Sequence, residues 1–137
     1  MTEYRMFTCR KLVRDGIIPK MQAEKSEPVY HKAQGDEFIE ALGDKAIEEA
    51  TEFRKAHNGE ERLEELIDMQ EVILAGLAET NFSFEEFMQL VTIKSQKSGS
   101  LAAGIILDSI KMATDNPWVL EYYVGNPNFN EVKEDKG

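Results

Sequence analysis

Four carboxylates placed symmetrically about one turn constrain this chain more than any other feature. Glu49 and Glu52 precede the dipeptide Asn58-Gly59, and Glu65 and Asp68 follow it. Asn-Gly after a helix-like run reads as a turn, so helical flanks predict an antiparallel helical hairpin. The pairs 49/68 and 52/65 are both centred on the 58/59 junction. In that hairpin Glu49 stands level with Asp68, and Glu52 level with Glu65. Within each helix the two acids are three residues apart, roughly 4.5 Å of rise along one side of the cylinder. The spacing predicts four carboxylates converging in one small volume.

Converging carboxylates repel and raise one another's pKa. The second helix sharpens the conflict, because residues 60–71 hold six acids and one base, Arg62. Glu61/Glu65 and Glu64/Asp68 are like charges at i,i+4, which destabilises a helix. A hard divalent cation bound through oxygen resolves this, and Mg²⁺ is the usual ion beside phosphate substrates. The plain alternative is a solvated acidic face. Helical-wheel position argues against it for the first helix. At about 100° per residue, Phe38, Leu42, Ala46, Phe53 and Ala56 form one apolar stripe. Glu49 falls inside that stripe and Glu52 at its edge, while Glu48 points away. A carboxylate on a core-facing stripe is costly unless paired or metal-bound. Glu65 and Asp68 lie opposite the main apolar stripe of their helix, Leu63, Ile67, Leu74 and Leu77. They share a second stripe with Val72 and Ala75. That helix needs cover on two sides, which predicts a bundle or a dimer.

Composition narrows the rest. A chain of 137 residues is long enough for one domain with a core. The net charge of −10 argues against binding to nucleic acid polymers, which takes a basic surface. A single cysteine, Cys9, allows no intrachain disulfide and suits a cytoplasmic setting. Cys9 reads as structural. The first residues carry no apolar run of signal-peptide type, and no stretch is long and apolar enough to span a membrane.

Taken in order, residues 1–9 read as a short extended piece. Arg10, Lys11 and Arg14 then concentrate positive charge in an acidic chain. Alone they read as a charged surface turn; beside an acidic site they can contact phosphate. Pro19 opens or interrupts a short helix over 20–25. Residues 26–36 read as loop, with His31 a surface residue. The first long helix is expected from Asp36 or Glu37 to His57, with Asp36 as N-cap. The second is expected over 60–79. Ser83-Phe84-Glu85-Glu86 is a capping box that opens a third helix. Lys94 and Lys97 close that helix on one side, where they suit its dipole and could equally meet a phosphate. Residues 101–113 fit either a strand or a short helix. The domain is expected to end at 113, with 114–137 an extension whose aromatics pack on the domain or on a partner.

Glu48-Glu49-x-x-Glu52, twelve intervening residues and Glu65-x-x-Asp68 resemble the signature of the all-α nucleoside triphosphate pyrophosphohydrolases, which include MazG-type enzymes. Lys11-Leu12-Val13-Arg14-Asp15-x-Ile17-x-Pro19 is similar to the opening of a phosphoribosyl-ATP pyrophosphohydrolase-like branch. Lys94-x-x-Lys97-Ser98-Gly99, followed by Gly104-Ile105-Ile106-Leu107, is similar to that branch's basic, glycine-containing end. Two departures stand out: Lys97-Ser98-Gly99-Ser100 replaces a basic-Gly-Gly-Phe-like segment, and Gly16-Ile17-Ile18-Pro19 replaces a shorter run.

The resemblance implies an all-α helical bundle whose core is completed in a homodimer or larger homo-oligomer. It implies Glu49, Glu52, Glu65 and Asp68 as Mg²⁺ ligands, with Mn²⁺ a possible substitute. Glu48 and Glu49 are the catalytic candidates, Glu48 either as a contact behind the metal ligands or as a base for the attacking water. Lys11, Arg14, Lys94 and Lys97 are the phosphate-contact candidates. The implied reaction cleaves a nucleotide between its α- and β-phosphates, giving a monophosphate and pyrophosphate. Two alternatives stay open: a helical dimer that binds metal and nucleotide without turnover in a regulatory role, and a plain helical interaction protein.

Overall fold

The computed structural model describes residues 1–133. It holds five helices in chain order: α1 (Ile17–Ala23), α2 (Gly35–Lys55), α3 (Gly59–Ala78), α4 (Phe84–Ser98) and α5 (Pro117–Val124). No strand occurs among the described residues, so residues 1–9 form no extended pairing and residues 101–113 are neither the strand nor the short helix expected of them. No helix among them is long and apolar enough to cross a membrane. The chain divides into two compact units, Met1–Lys97 and the part from Ser98 on. Residues 98–113, attached to the first domain in the sequence reading, therefore group with the second unit.

The hairpin of α2 and α3 is the centre of the first unit, and their contact is its one extensive helix–helix interface among the described residues. Three residues, 56–58, connect them. Ala56 leaves the helix in extended conformation, and Asn58 begins the next one. The Asn58 side chain accepts a hydrogen bond from the Glu61 amide at 2.9 Å, while Glu61 Oε2 accepts one from the His57 amide at 2.7 Å. Both bonds satisfy amides that a helix start leaves without partners. Asn58-Gly59 is thus a helix start as much as a turn. The start of α2 differs from the expected Asp36 cap. Gln34 holds the cap position without a side-chain bond, and Asp36 lies in the first turn, where its charge favours the dipole.

Leu42 is the buried apolar residue of α2, with Phe38, Ala46 and Ala56 partly covered on the same side. That is the predicted stripe except for Phe53, which is exposed. Helix α3 behaves differently. Its covered positions include Glu65, Asp68, Met69, Val72 and Ala75. Its most apolar stripe faces away from α2, leaving Leu63 57% and Ile67 49% exposed. The hairpin therefore closes on the acid-bearing side of α3.

Helix α1 ends with Lys25 at a φ of 64°, and the Ser26 amide donates back to the Met21 carbonyl at 2.9 Å. This is a left-handed C-cap without glycine. Pro19 sits in the first turn of α1, where no amide is needed. Helix α4 opens as predicted. Ser83 Oγ accepts from the Glu86 amide at 3.1 Å, and Glu86 Oε1 accepts from the Ser83 amide at 3.2 Å. Ser83→Ala should cost about 1 kcal/mol, read as a lower melting temperature and faster amide exchange in the first turn of α4. Ser83→Asn should restore most of the loss.

In the second unit, α5 was not anticipated. Asn116 caps it and Pro117 occupies its first position. Tyr122, Tyr123 and Phe129 pack on one another, with Tyr123 and Phe129 ring centroids 4.7 Å apart in edge-on geometry. These aromatics form a local cluster of the tail, and Trp118 is exposed.

Candidate metal centre

The hairpin brings carboxylate oxygens of Glu49, Glu65 and Asp68 within 4.8 Å of one another. Glu49 comes from the covered stripe of α2 and is only 5% exposed. Glu65 and Asp68 come from the covered face of α3, one turn apart, and are half-buried. The mirror spacing about residues 58 and 59 predicts the meeting of Glu49 with Asp68, whereas Glu65, expected level with Glu52, instead hydrogen-bonds Glu49. Glu52 departs from expectation. It is exposed and supplies no oxygen to this cluster, although its charge reaches Glu65.

Three cations surround the acids. Lys45 Nζ lies 3.1 Å from Glu49 Oε1 and 3.4 Å from Glu48 Oε2. Its side chain is only 21% exposed, so the buried charge of Glu49 has a covered partner. Burial pulls the Lys45 ammonium down, but the hydrogen bond to Glu49 and the charges of Glu48 and Glu49 outweigh it and leave the pKa raised. Lys11 Nζ donates to Glu48 Oε1 at 3.3 Å. Arg14 Nη2 donates to Asp68 Oδ1 at 2.8 Å, and its Nη1 lies 3.7 Å from Glu71. The bond to Asp68 leads in raising the Arg14 pKa, against some desolvation, helped by the charges of Asp68, Glu71 and Glu49. The Arg14 carbonyl also accepts from the Ile17 amide at 3.0 Å, which ties the basic segment to the start of α1.

Glu48 does not point away as the wheel suggests; it is half-buried between Lys11 and Lys45. Desolvation pushes its carboxyl up, but the Lys11 bond and both lysine charges outweigh this and hold it below the ordinary value. Lys94 and Lys97 stand apart. Among the described residues neither forms an ion pair within 4.0 Å or a side-chain hydrogen bond. Cys9 is exposed and free, against its structural reading. His31 is exposed and bonds Glu37 at 2.9 Å. Lys45 and Glu71 belong to the site although the acid motif does not single them out. The signal for Lys45 was its spacing of three and four from Glu48 and Glu49.

Glu65 carries the largest electrostatic strain. Its carboxyl is pushed up to about 7, first by a hydrogen bond shared with Glu49, then by desolvation and by the charges of Glu49, Asp68 and Glu52. A carboxyl raised above its unfolded value favours the fold while protonated. Its contribution is complete below about pH 4 and is lost as pH rises through about 7. The metal-free melting temperature should therefore carry a falling component across this window. Glu65→Gln, which mimics the protonated acid, should flatten it, and so should saturating Mg²⁺. An unchanged profile in Glu65→Gln would exclude Glu65 as its source.

The donor set suits a hard divalent ion. Octahedral Mg²⁺ at about 2.1 Å places neighbouring oxygens about 3.0 Å and opposite ones about 4.2 Å apart. The 4.8 Å limit of the cluster is close to that, within reach of side-chain rotation. All three donors are carboxylates, and their mutual repulsion is what a cation would relieve. Compared with protein-family models, curated proteins and solved structures, the chain gives no match.

Proposed function

We propose that this chain is a Mg²⁺-dependent nucleotide pyrophosphohydrolase of the all-α type. It cleaves between the α- and β-phosphates of a nucleoside triphosphate or a phosphoribosyl-ATP-like substrate, releasing a monophosphate and pyrophosphate. The observation that carries this is the buried Glu49 beside Glu65 and Asp68, flanked by Lys11 and Arg14. Buried acid and exposed base at one place suit a metal and a polyphosphate together.

Glu49, Glu65 and Asp68 hold the cation, with Glu52 adding negative charge at the rim. When bound, Mg²⁺ or Mn²⁺ supplies Lewis-acid chemistry and charge compensation for phosphate oxygens. Lys45 pairs with Glu49 and orients it from the same helix. Glu48, held below its ordinary pKa, is a weak base; it orients Lys11 and the attacking water. Lys11 and Arg14 stand beside the cluster to contact phosphate. The exposed stripe of α3 is covered by a second copy of the chain, which makes the working form a homodimer or larger.

The ion pairs already present favour one alternative, a helical dimer that binds metal and nucleotide without turnover. Product analysis separates the two. The protein is incubated with Mg²⁺ and a panel of ribo- and deoxyribonucleoside triphosphates and phosphoribosyl-ATP, with pyrophosphate read apart from orthophosphate. Pyrophosphate is the expected product. Nucleotide-dependent thermal stabilisation without any pyrophosphate would instead select the binding module.

A further inference from the structure

We propose that Arg14 is a built-in counter-cation of the acid cluster, and that a divalent ion binds by displacing it from Asp68. This rests on the metal-site reading above and adds a switch to it. Lys11 reaches Glu48 on α2, while Arg14 reaches Asp68 and Glu71 on α3. The segment before α1 is therefore tied to both helices of the hairpin, one cation to each.

The geometry makes Arg14 the exchangeable partner. Lys45 is covered and rooted in α2 itself, so it moves with Glu49. The Arg14 side chain is half-exposed and comes from outside the hairpin. Its fork spans Asp68 and Glu71, and Glu71 lies outside the three-oxygen cluster. The bond to Arg14 at 2.8 Å engages Oδ1 of Asp68, a carboxylate that a cation in the cluster also needs. Ion and guanidinium therefore compete for Asp68. A guanidinium left in place would also repel the divalent ion. After exchange, Arg14 keeps Glu71 at the rim and its freed N–H groups face an incoming polyphosphate. Metal then comes before substrate, because metal binding is what frees the substrate's cation.

The test needs no turnover. Mn²⁺ affinity is measured on the full chain by loss of the free-ion paramagnetic resonance signal, for wild type, Arg14→Gln and Asp68→Asn. Arg14→Gln should bind roughly tenfold tighter, the Coulomb effect of a unit charge about 6 Å from a divalent ion in a water-like medium. Asp68→Asn should bind more weakly, which checks the site itself. Mn²⁺ should also accelerate tryptic cleavage after Lys11 and Arg14 at constant ionic strength. Equal or weaker binding by Arg14→Gln, with wild-type binding intact, overturns the exchange and leaves the metal site standing. Cleavage unchanged or slowed by Mn²⁺ overturns release of the segment. No Mn²⁺ binding by any of the three proteins overturns both this proposal and the metal-site reading.

Discussion

Glu49→Gln is expected to lower Mg²⁺-dependent pyrophosphate release by at least about a hundredfold, since even outer partners of metal ligands are worth 10–100-fold. The same substitution should raise the melting temperature of the metal-free protein. The two effects share one cause. Glu49 is buried against Glu65 and Asp68, so its charge serves a bound cation and opposes its neighbours without one. Glutamine keeps the shape and removes the charge. Lys45 retains Glu48 as partner, so its ammonium is not orphaned. Asp68→Asn should reduce turnover likewise. Near-normal turnover in both variants would remove the metal site from the mechanism. A fall in activity with a lower metal-free melting temperature would make Glu49 a structural partner of Lys45 rather than a ligand.

Leu42→Ala should cost about 2–5 kcal/mol, the range for emptying a buried leucine site. That is a large part of a domain's usual stability of about 5–15 kcal/mol. Leu42 is 5% exposed and lies two turns before Glu49 on the covered side of α2. Its loss should weaken the hairpin and the acid cluster together, read as denaturant midpoint and Mn²⁺ affinity. Leu63→Ala offers the contrast, because Leu63 is exposed on the outer face of α3. Within a lone chain it should change stability by less than about 0.5 kcal/mol. A substantial loss that depends on protein concentration would show that a second copy covers that face.

The hairpin was legible because its information is local. The mirror spacing about Asn58-Gly59 brings Glu49 to Asp68, though it misplaces Glu52, and the stripe of Phe38, Leu42 and Ala46 fixes which side of α2 is covered. The α4 capping box was legible for the same reason: two side chains and two amides within four residues. The pairing face of α3 was harder. Its most apolar residues are not the ones that meet α2, and hydrophobicity alone ranks the wrong stripe first. Lys11 and Arg14 could be named as phosphate candidates, but not joined to Glu48 and Asp68. Those contacts cross 37 and 54 residues, and no periodicity encodes them. Helix α5 was hidden in an aromatic-rich tail, where Tyr122, Tyr123 and Phe129 pack on one another.

The three-residue connection between α2 and α3 also makes the hairpin a ruler. Twelve residues separate Glu52 from Glu65, and the cluster depends on rotational phase as much as on length. One residue inserted within α3 ahead of Glu65 would turn the following acids by about 100° and carry them off the covered face. An insertion of seven, shared between the helix ends, adds nearly one turn to each and restores the phase. Length variation between the two acid pairs is thus expected in steps of about seven residues, unless the extra chain loops out at 56–58 and leaves the helices untouched.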